Sequence, residues 1–453
     1  MKTISTPAST GAKHALPIAA LALLVAIAAE LIGKKSFDVG IGTLLIFPMV
    51  WGLVIGTVLT LQKFKPVSIR AQKIAASFSA VAVLLLVVRL SADIGPQIPV
   101  LVEAGPALFL QEIGHLLGTI VLALPLAVLL RMGRSTVGAT FSIDRESSFA
   151  MVSARFGSNS DEYRGVLAMY VFGTIFGAIY ISLVTSVVAS WGVFDPLAMA
   201  MGAGVGSGSM MAASAASIAA AHPEMEQAIL SMAAVSNLIT TIMGTYVGMF
   251  VALPLANKVY NLLTGAKRKA KLAQKAAAAG TLADQDSARA KMEESNAQFA
   301  ESASEVGTVE NVPLWVTLPV LSIMGIVTAS IAGGFGWQLV LSYAVMSLFV
   351  VLGGYLAKLT GNKIPSLIWL TTLIAALCSP ISPVAGFFVS TFTAIPFLSI
   401  TTVVLTCAGL SLGKDIGLLK KIGWKIVPVG LVAITASFIL ATVIAEFALG
   451  LWH

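Results

Sequence analysis

Residues 201–223 read "MGAGVGSGSMMAASAASIAAAHP", with glycine at 202, 204, 206 and 208 and little but Ala, Ser and Met beyond. Apolar runs of bilayer-spanning length flank this stretch on both sides. Gly costs about 1 kcal/mol relative to Ala inside a helix, so four at alternate positions do not propagate a regular one. An irregular backbone at membrane depth must be buried in protein or line a watery cavity, because lipid cannot satisfy its hydrogen bonds. The stretch therefore decides more about this chain than any of its regular helices.

Composition sets the class around it. Hydrophobic residues make up 57% of the 453 and charged residues 11%, against about 25% charged in soluble domains. The mean hydropathy of +0.92 agrees. Apolar segments fall at 15–33, 40–61, 74–94, 104–130, 165–192, 196–221, 227–256, 313–334, 337–358, 364–380, 384–411 and 426–451. Each approaches the ~20 residues a helix needs to cross a bilayer. Strand-period alternation is absent, which excludes a β-barrel. The expected fold is an all-α integral membrane protein with about 11–12 apolar segments.

The first segment is too long for a signal-peptide core, so it reads as a retained span. Cys378 and Cys407 lie inside apolar spans as small hydrophobes and offer no disulfide framework or metal spacing. The net charge of +7 is concentrated in four places: 63–73, 131–164, 258–275 and 414–425. That is the positive-inside pattern of a cell-membrane protein, and aromatic residues are not interleaved with the basic ones in a way that suggests base stacking, so it does not point to nucleic acid.

The chain divides at a polar interruption. Residues 1–62 hold N-terminal spans and 63–256 a first transmembrane half. Residues 257–312 form a charged linker, expected in the cytoplasm, and 313–453 a second half. The linker begins with six Lys/Arg and no acid, and ends in an acidic stretch. It has no apolar face fit for a core, so a solvated tether is expected, with partner binding as the alternative. Two spans separate the first two basic loops and four separate the linker from 414–425. Three apolar segments lie between the 131–164 loop and the linker, an odd number. The segment least suited to crossing is 196–221, which is thus expected to be re-entrant or broken near Gly204–Gly208.

Freed N–H groups and the positive end of a half-helix starting near Ser209 would face an anion, and freed carbonyls a cation. Gly204, Gly206, Ser207, Gly208 and Ser209 are accordingly candidate substrate contacts. The competing reading is a small-residue packing surface, which suits Ala212–Ala221 better than the glycines. A partner element is expected in "CSPISPVAGFFVSTFTAIPF" (378–397), where Pro380, Pro383 and Pro396 break the helix and Ser379 and Ser382 supply hydroxyls. Paired interruptions at 196–221 and 378–411 point to a transporter's site.

The small-residue run and the following "AVSNLITTIMGTYVGMFVALPL" resemble the crossover helix and closing span of the 2-keto-3-deoxygluconate permeases, within the bile acid/arsenite/riboflavin transporter superfamily. "GLSLGKDIGLLKKIGWKIVPVG" (409–430) resembles a connection found repeatedly there. The whole chain is similar to an uncharacterised prokaryotic membrane family, domain of unknown function 3100-like. This resemblance implies two five-helix repeats of inverted topology with crossing broken helices, as in sodium/proton antiporters. The N-terminal spans and the long linker depart from that plan, and no substrate carries over.

Other intramembrane polar residues are functional candidates. Glu112 and His115 lie at i and i+3 on one helical face, suiting a proton or cation relay or an interhelical hydrogen bond. A di-iron site would need a second ExxH, and none is present. Arg89 and Asp93 are spaced to pair. Asn237, Thr240 and Thr241 follow the glycine run and could ligate Na⁺ or bond to a neighbour. Arg145 suits a carboxylate clamp or an interfacial cation, and Glu446 reads as interfacial. The reading is a secondary transporter of a small organic anion of the carboxylate type, coupled to Na⁺ or H⁺, with no other cofactor. A homo-oligomer stays open. No GxxxxGK[ST] loop supports nucleotide-driven pumping. The alternatives are a membrane-embedded enzyme and a scaffold or sensor.

Overall fold

The structure, a computed structural model, describes residues 8–38, 43–62, 64, 67–142, 147–157, 160–265, 310, 312–361, 366–415 and 423–450. Most of the linker, Arg145 and the C-terminal His453 lie outside the described residues. Among those described, eight helices are long and apolar enough to cross a bilayer. The protein is a multi-pass helical membrane protein.

In chain order the elements are α1 (Ala8–Ile32), a hairpin of β1 (Lys35–Asp38) and β2 (Thr43–Ile46), α2 (Pro48–Leu61), α3 (Ile69–Ile94), α4 (Ile98–Glu103), α5 (Gly105–Gly118) and α6 (Leu124–Leu129). Next come α7 (Ser135–Thr140), α8 (Ser147–Phe156), α9 (Asp161–Phe172), α10 (Ala178–Ser190), α11 (Pro196–Gly202), α12 (Gly208–Ala221), α13 (Glu226–Val247) and α14 (Leu253–Thr264). After the linker stand α15 (Leu314–Gly333), α16 (Trp337–Leu359), α17 (Ser366–Leu377), α18 (Ala385–Thr393), α19 (Phe397–Gly409) and α20 (Ile426–Ala448). Three π-helical turns, Thr119–Ala123, Gly173–Gly177 and Gly248–Ala252, join α5 to α6, α9 to α10 and α13 to α14. The 40–61 segment is helical only from Pro48, because residues 43–46 pair with 35–38 in register Lys35↔Ile46.

Close helix crossings rest on glycine, as expected where lipid gives no hydrophobic drive to associate. Gly114 and Gly118 bring α5 onto α20 so tightly that a Cβ on Gly114 would lie 2.5 Å from Ala441 Cα. Gly52 and Gly56 do the same for α2 on α19. Packing therefore cuts across the division at the linker. The last helix of the chain belongs with α5, and the N-terminal α2 with α19. Gly138 and Gly165 seat α7 and α9 on each other, so the 131–164 loop folds as helices against the bundle.

The basic loops meet at one end. Arg70 pairs with Glu310 at 3.0 Å. Arg134 Nη1 donates to Asn261 Oδ1 at 3.1 Å, and Lys425 Nζ lies 3.5 Å from Arg131 O. Gly413 packs on Thr60 and Gln72. These contacts place Asn261 and Glu310 near the two ends of the linker, Thr60 and Arg70, Arg131 and Arg134, and Gly413 and Lys425 on a single face. The continuous helix from α13 to α14 carries Asn261 at that face, so Glu226 lies at the other, on the order of 50 Å along the axis. Asp195 N donates to Glu446 Oε2 near the end of α20, which also lies far from the basic face. Both ends of 196–221 are thus at the far face, and the segment enters the protein and returns to the side it came from.

This geometry corrects one expectation. The interrupted elements at 196–221 and 378–411 are not equivalents, because α18 and α19 together run on to the basic face while α11 and α12 turn back. Glu446, near the far end of α20, is 5% exposed and ties the start of the re-entrant segment to that helix. On a Cys378→Ala, Cys407→Ala background, Val193→Cys and Glu224→Cys are expected to react with a membrane-impermeant maleimide from one side, and Phe64→Cys from the other. Labelling of 193 and 224 from opposite sides would show that 196–221 crosses.

Candidate functional site

The re-entrant segment turns at 203–207, between the end of α11 and the start of α12. Residues 201–206 are buried, so every carbonyl released there needs a donor. α13 supplies them. Ser236 Oγ donates to Met201 O at 2.7 Å, and Asn237 Nδ2 donates to Gly204 O at 2.8 Å and Gly206 O at 3.2 Å. Of the two sequence readings for Asn237, the structure shows the neighbour bond; its amide protons are spent on the turn.

The alternating glycines have separate reasons. A Cβ on Gly202 would strike Thr442 Oγ1 and one on Gly204 would strike Ser236 Oγ. Gly206 holds φ +75, a conformation costing an L side chain about 1–2 kcal/mol, and abuts Met210. Gly208 needs neither excuse. It opens α12 without a left-handed backbone, and an added Cβ would meet Val83 Cγ1 at an ordinary 3.7 Å. The expectation of unwound backbone at Gly208 therefore moves back to Gly206. Ser207 and Ser209 are partly buried and their hydroxyls lie 3.1 Å apart.

Beside the turn is a cavity of ≈ 40 Å³. At about 10–15 Å³ per water centre it seats three or four waters, and no organic acid, in this state. Its polar lining comes from four separate places: Glu112, His115 and Thr119 from α5 and its π-turn, Ser142 after α7, Thr240 from α13, and Ser437 from α20. Gly206 closes it from the turn, while Phe141 and Met151 provide apolar wall. His115 Nδ1 is 3.2 Å from Ser437 Oγ, which in turn donates to His115 O at 3.1 Å. That is the interhelical bond expected of His115. Gly244 lines the cavity across from the carboxylate, where an added Cβ would meet Glu112 Oε1 at an ordinary 3.5 Å. Two π-turns start on the cavity wall, at Thr119 and Gly248. The third ends at Gly177, packed on Met210 beneath the turn.

The structure brings Gly206, Glu112, His115 and Thr240 together, and Asn237 beside them. It does not bring Ser379 and Ser382. Gly208 faces Val83 of α3, whereas Cys378 packs on Gly95 just past that helix. Twelve residues of helix put the two interruptions about 18 Å apart along it. Ser379 Oγ donates to its own turn at Ala376 O, and Pro380, Ile381 and Pro383 are exposed. A second, mostly apolar cavity of ≈ 40 Å³ lies on the other flank of the turn, between Gly208, Asn237, Ser91 and Thr371. Arg89 pairs with Asp93 at 2.5 Å as its spacing suggested, and Arg89 Nε donates to Ile395 O between α18 and α19. Sequence reasoning missed Ser437, Thr119, Ser142 and Gly244. The Gly114-x-x-x-Gly118 pattern signals a crossing there, but not that α20 answers it.

Fold and site together define a polytopic helical membrane protein with a re-entrant hairpin whose turn is held in the interior. Residues 27–262 match the family described as "Protein of unknown function (DUF3100)", just over half of the chain, and the protein belongs to that family. No curated protein and no solved structure matches the chain. The matched region carries the turn, Glu112, His115, Asn237 and Thr240; Ser437 comes from outside it.

Replacing Asn237 with Ala leaves two buried carbonyls without their donor, about 1–3 kcal/mol each. Asn237→Ala and Gly206→Ala are both expected to lower the melting temperature in detergent, whereas Gly208→Ala and Ser209→Ala leave it within a degree or so. Equal losses at 206 and 208 would contradict the distinct roles given to those glycines.

Proposed function

We propose that this protein is a secondary transporter of a small organic anion of the carboxylate type, coupled to Na⁺ or H⁺, with its basic face in the cytoplasm. The observation that carries the reading is the turn at 203–207: non-helical backbone in the interior, with a carboxylate-bearing cavity on one flank and an apolar cavity on the other. Intramembrane backbone of this kind is tolerated where it lines a ligand path, and half-helices meeting near the midplane suit an anion and its coupling ion. The start of α12, at Gly208 and Ser209, presents the positive end of a 14-residue helix to the second cavity. Glu112, His115 and Thr240 form the coupling-ion side of the site, with Asn237 shaping the turn between the two.

Both cavities are small, so the state described is closed around the site, and alternating access requires the helices about the turn to separate from α3 and α17. The concentration of Lys and Arg at one face supports the cytoplasmic assignment. Uptake of a panel of labelled small carboxylates into proteoliposomes, driven by a Na⁺ or pH gradient, tests the proposal. Wild type is expected to accumulate at least one acid, Glu112→Gln to lose gradient-driven accumulation at near-normal abundance, and Ser209→Ala to bind about fivefold more weakly, the loss of one neutral hydrogen bond. No uptake of any acid under either gradient would reject transport of this class.

A further inference from the structure

We propose that the cavity beside the turn is a proton-carrying site, in which Glu112 is the acid and His115 Nε2 the base. It deepens the transport reading by naming H⁺ rather than Na⁺ as the coupling ion. Hydrogen-bond bookkeeping at Ser437 carries the argument. A serine hydroxyl has one proton, and Ser437 Oγ donates it to His115 O at 3.1 Å. With that proton on His115 O, the 3.2 Å contact between Ser437 Oγ and His115 Nδ1 takes its proton from the ring. The network read this way assigns neutral His115 the Nδ1–H tautomer and puts the lone pair on Nε2, the basic nitrogen. The tautomer follows from the network.

Glu112, one helical turn earlier on the same face, lines the same cavity with its carboxylate. Space for about three or four waters links the pair to Thr119, Ser142 and Thr240. The proton balance is simple. A proton delivered from bulk along the cavity waters as hydronium leaves its water as a carboxyl O–H bond forms on Glu112. Transfer onward breaks that O–H bond and forms N–H at His115 Nε2, leaving carboxylate and imidazolium, and the reverse steps return the proton to water. Thr119, Ser142, Thr240 and Ser437 add hydroxyl oxygens to the wall, but the imidazole beside Glu112 accepts a proton and, once protonated, repels Na⁺.

Other charged groups on the elements packed around this pair are engaged elsewhere. Glu446 of α20 accepts from Asp195 N, and Glu226 opens α13 at the far face. Arg155 of α8 lies over Phe156, and Glu103 ends α4 in an exposed position. Among the described residues, Glu112 and His115 are the titratable groups on the cavity wall.

Three measurements on the purified full-length protein test the site without any substrate. Infrared difference spectra across a pH titration should show a carboxylic-acid C=O band that grows as pH falls and is lost in Glu112→Gln. In ¹⁵N-histidine protein, the resonance assigned through its loss in His115→Gln should report the Nδ1–H tautomer, and Ser437→Ala should mix the tautomers. The melting temperature of wild type should be the same in NaCl and in KCl of equal concentration. A specific rise in Na⁺, an Nε2–H tautomer, or no band that depends on Glu112 would each overturn the proposal. If these results hold but no carboxylate is taken up under a pH gradient, the proton site stands and the transport reading fails.

Discussion

Two carbonyls at the bottom of the re-entrant hairpin, Gly204 O and Gly206 O, are the groups on which the interior depends. Lipid offers them no donor, and an unpaired buried carbonyl costs on the order of 1–3 kcal/mol. The Asn237 amide satisfies both from the neighbouring helix. Ser236 adds a third bond, to Met201 O, from the same helix. One face of α13 thus satisfies the backbone that the hairpin turn frees.

The second interior break follows the same rule with a different donor. Ile395 O, freed between α18 and α19, accepts from Arg89, whose charge is balanced by Asp93 one turn away. A buried guanidinium is expensive unless paired and fully bonded. Here the ion pair holds a break between two helices that run on in the same direction, and it sits apart from the cavity. The neutral amide at the first break suits a place where charge is reserved for Glu112 and His115.

Small residues supply the other half of the architecture. Glycines at 52, 56, 114 and 118 let α2 meet α19 and α5 meet α20 at backbone distance. These contacts join helices from opposite ends of the chain, so the linker divides the sequence without dividing the packing. The α5–α20 crossing also builds the cavity wall, because the approach that buries Gly118 against Ala436 sets Ser437 beside His115.

The sequence alone determined the helical membrane class, since charge is too scarce to cover a soluble surface, and the common face of the basic loops. It also determined that 196–221 could not be an ordinary span, since alternate glycines and the parity of basic loops are local and countable. Glu112, His115, Thr240 and Gly206 were legible as intramembrane polar or flexible positions, each visible by its cost in lipid. Only the tertiary structure decided which of them meet. Ser379 and Ser382 looked equivalent to the glycine turn by residue type, yet α3 holds the two about 18 Å apart. Arg145 falls outside the described residues. Ser437 carried no signal of its own, because a lone serine in an apolar helix is unremarkable until a partner is known. Its role comes from a crossing more than three hundred residues distant in sequence, and local pattern holds no information about which helices touch across such a separation.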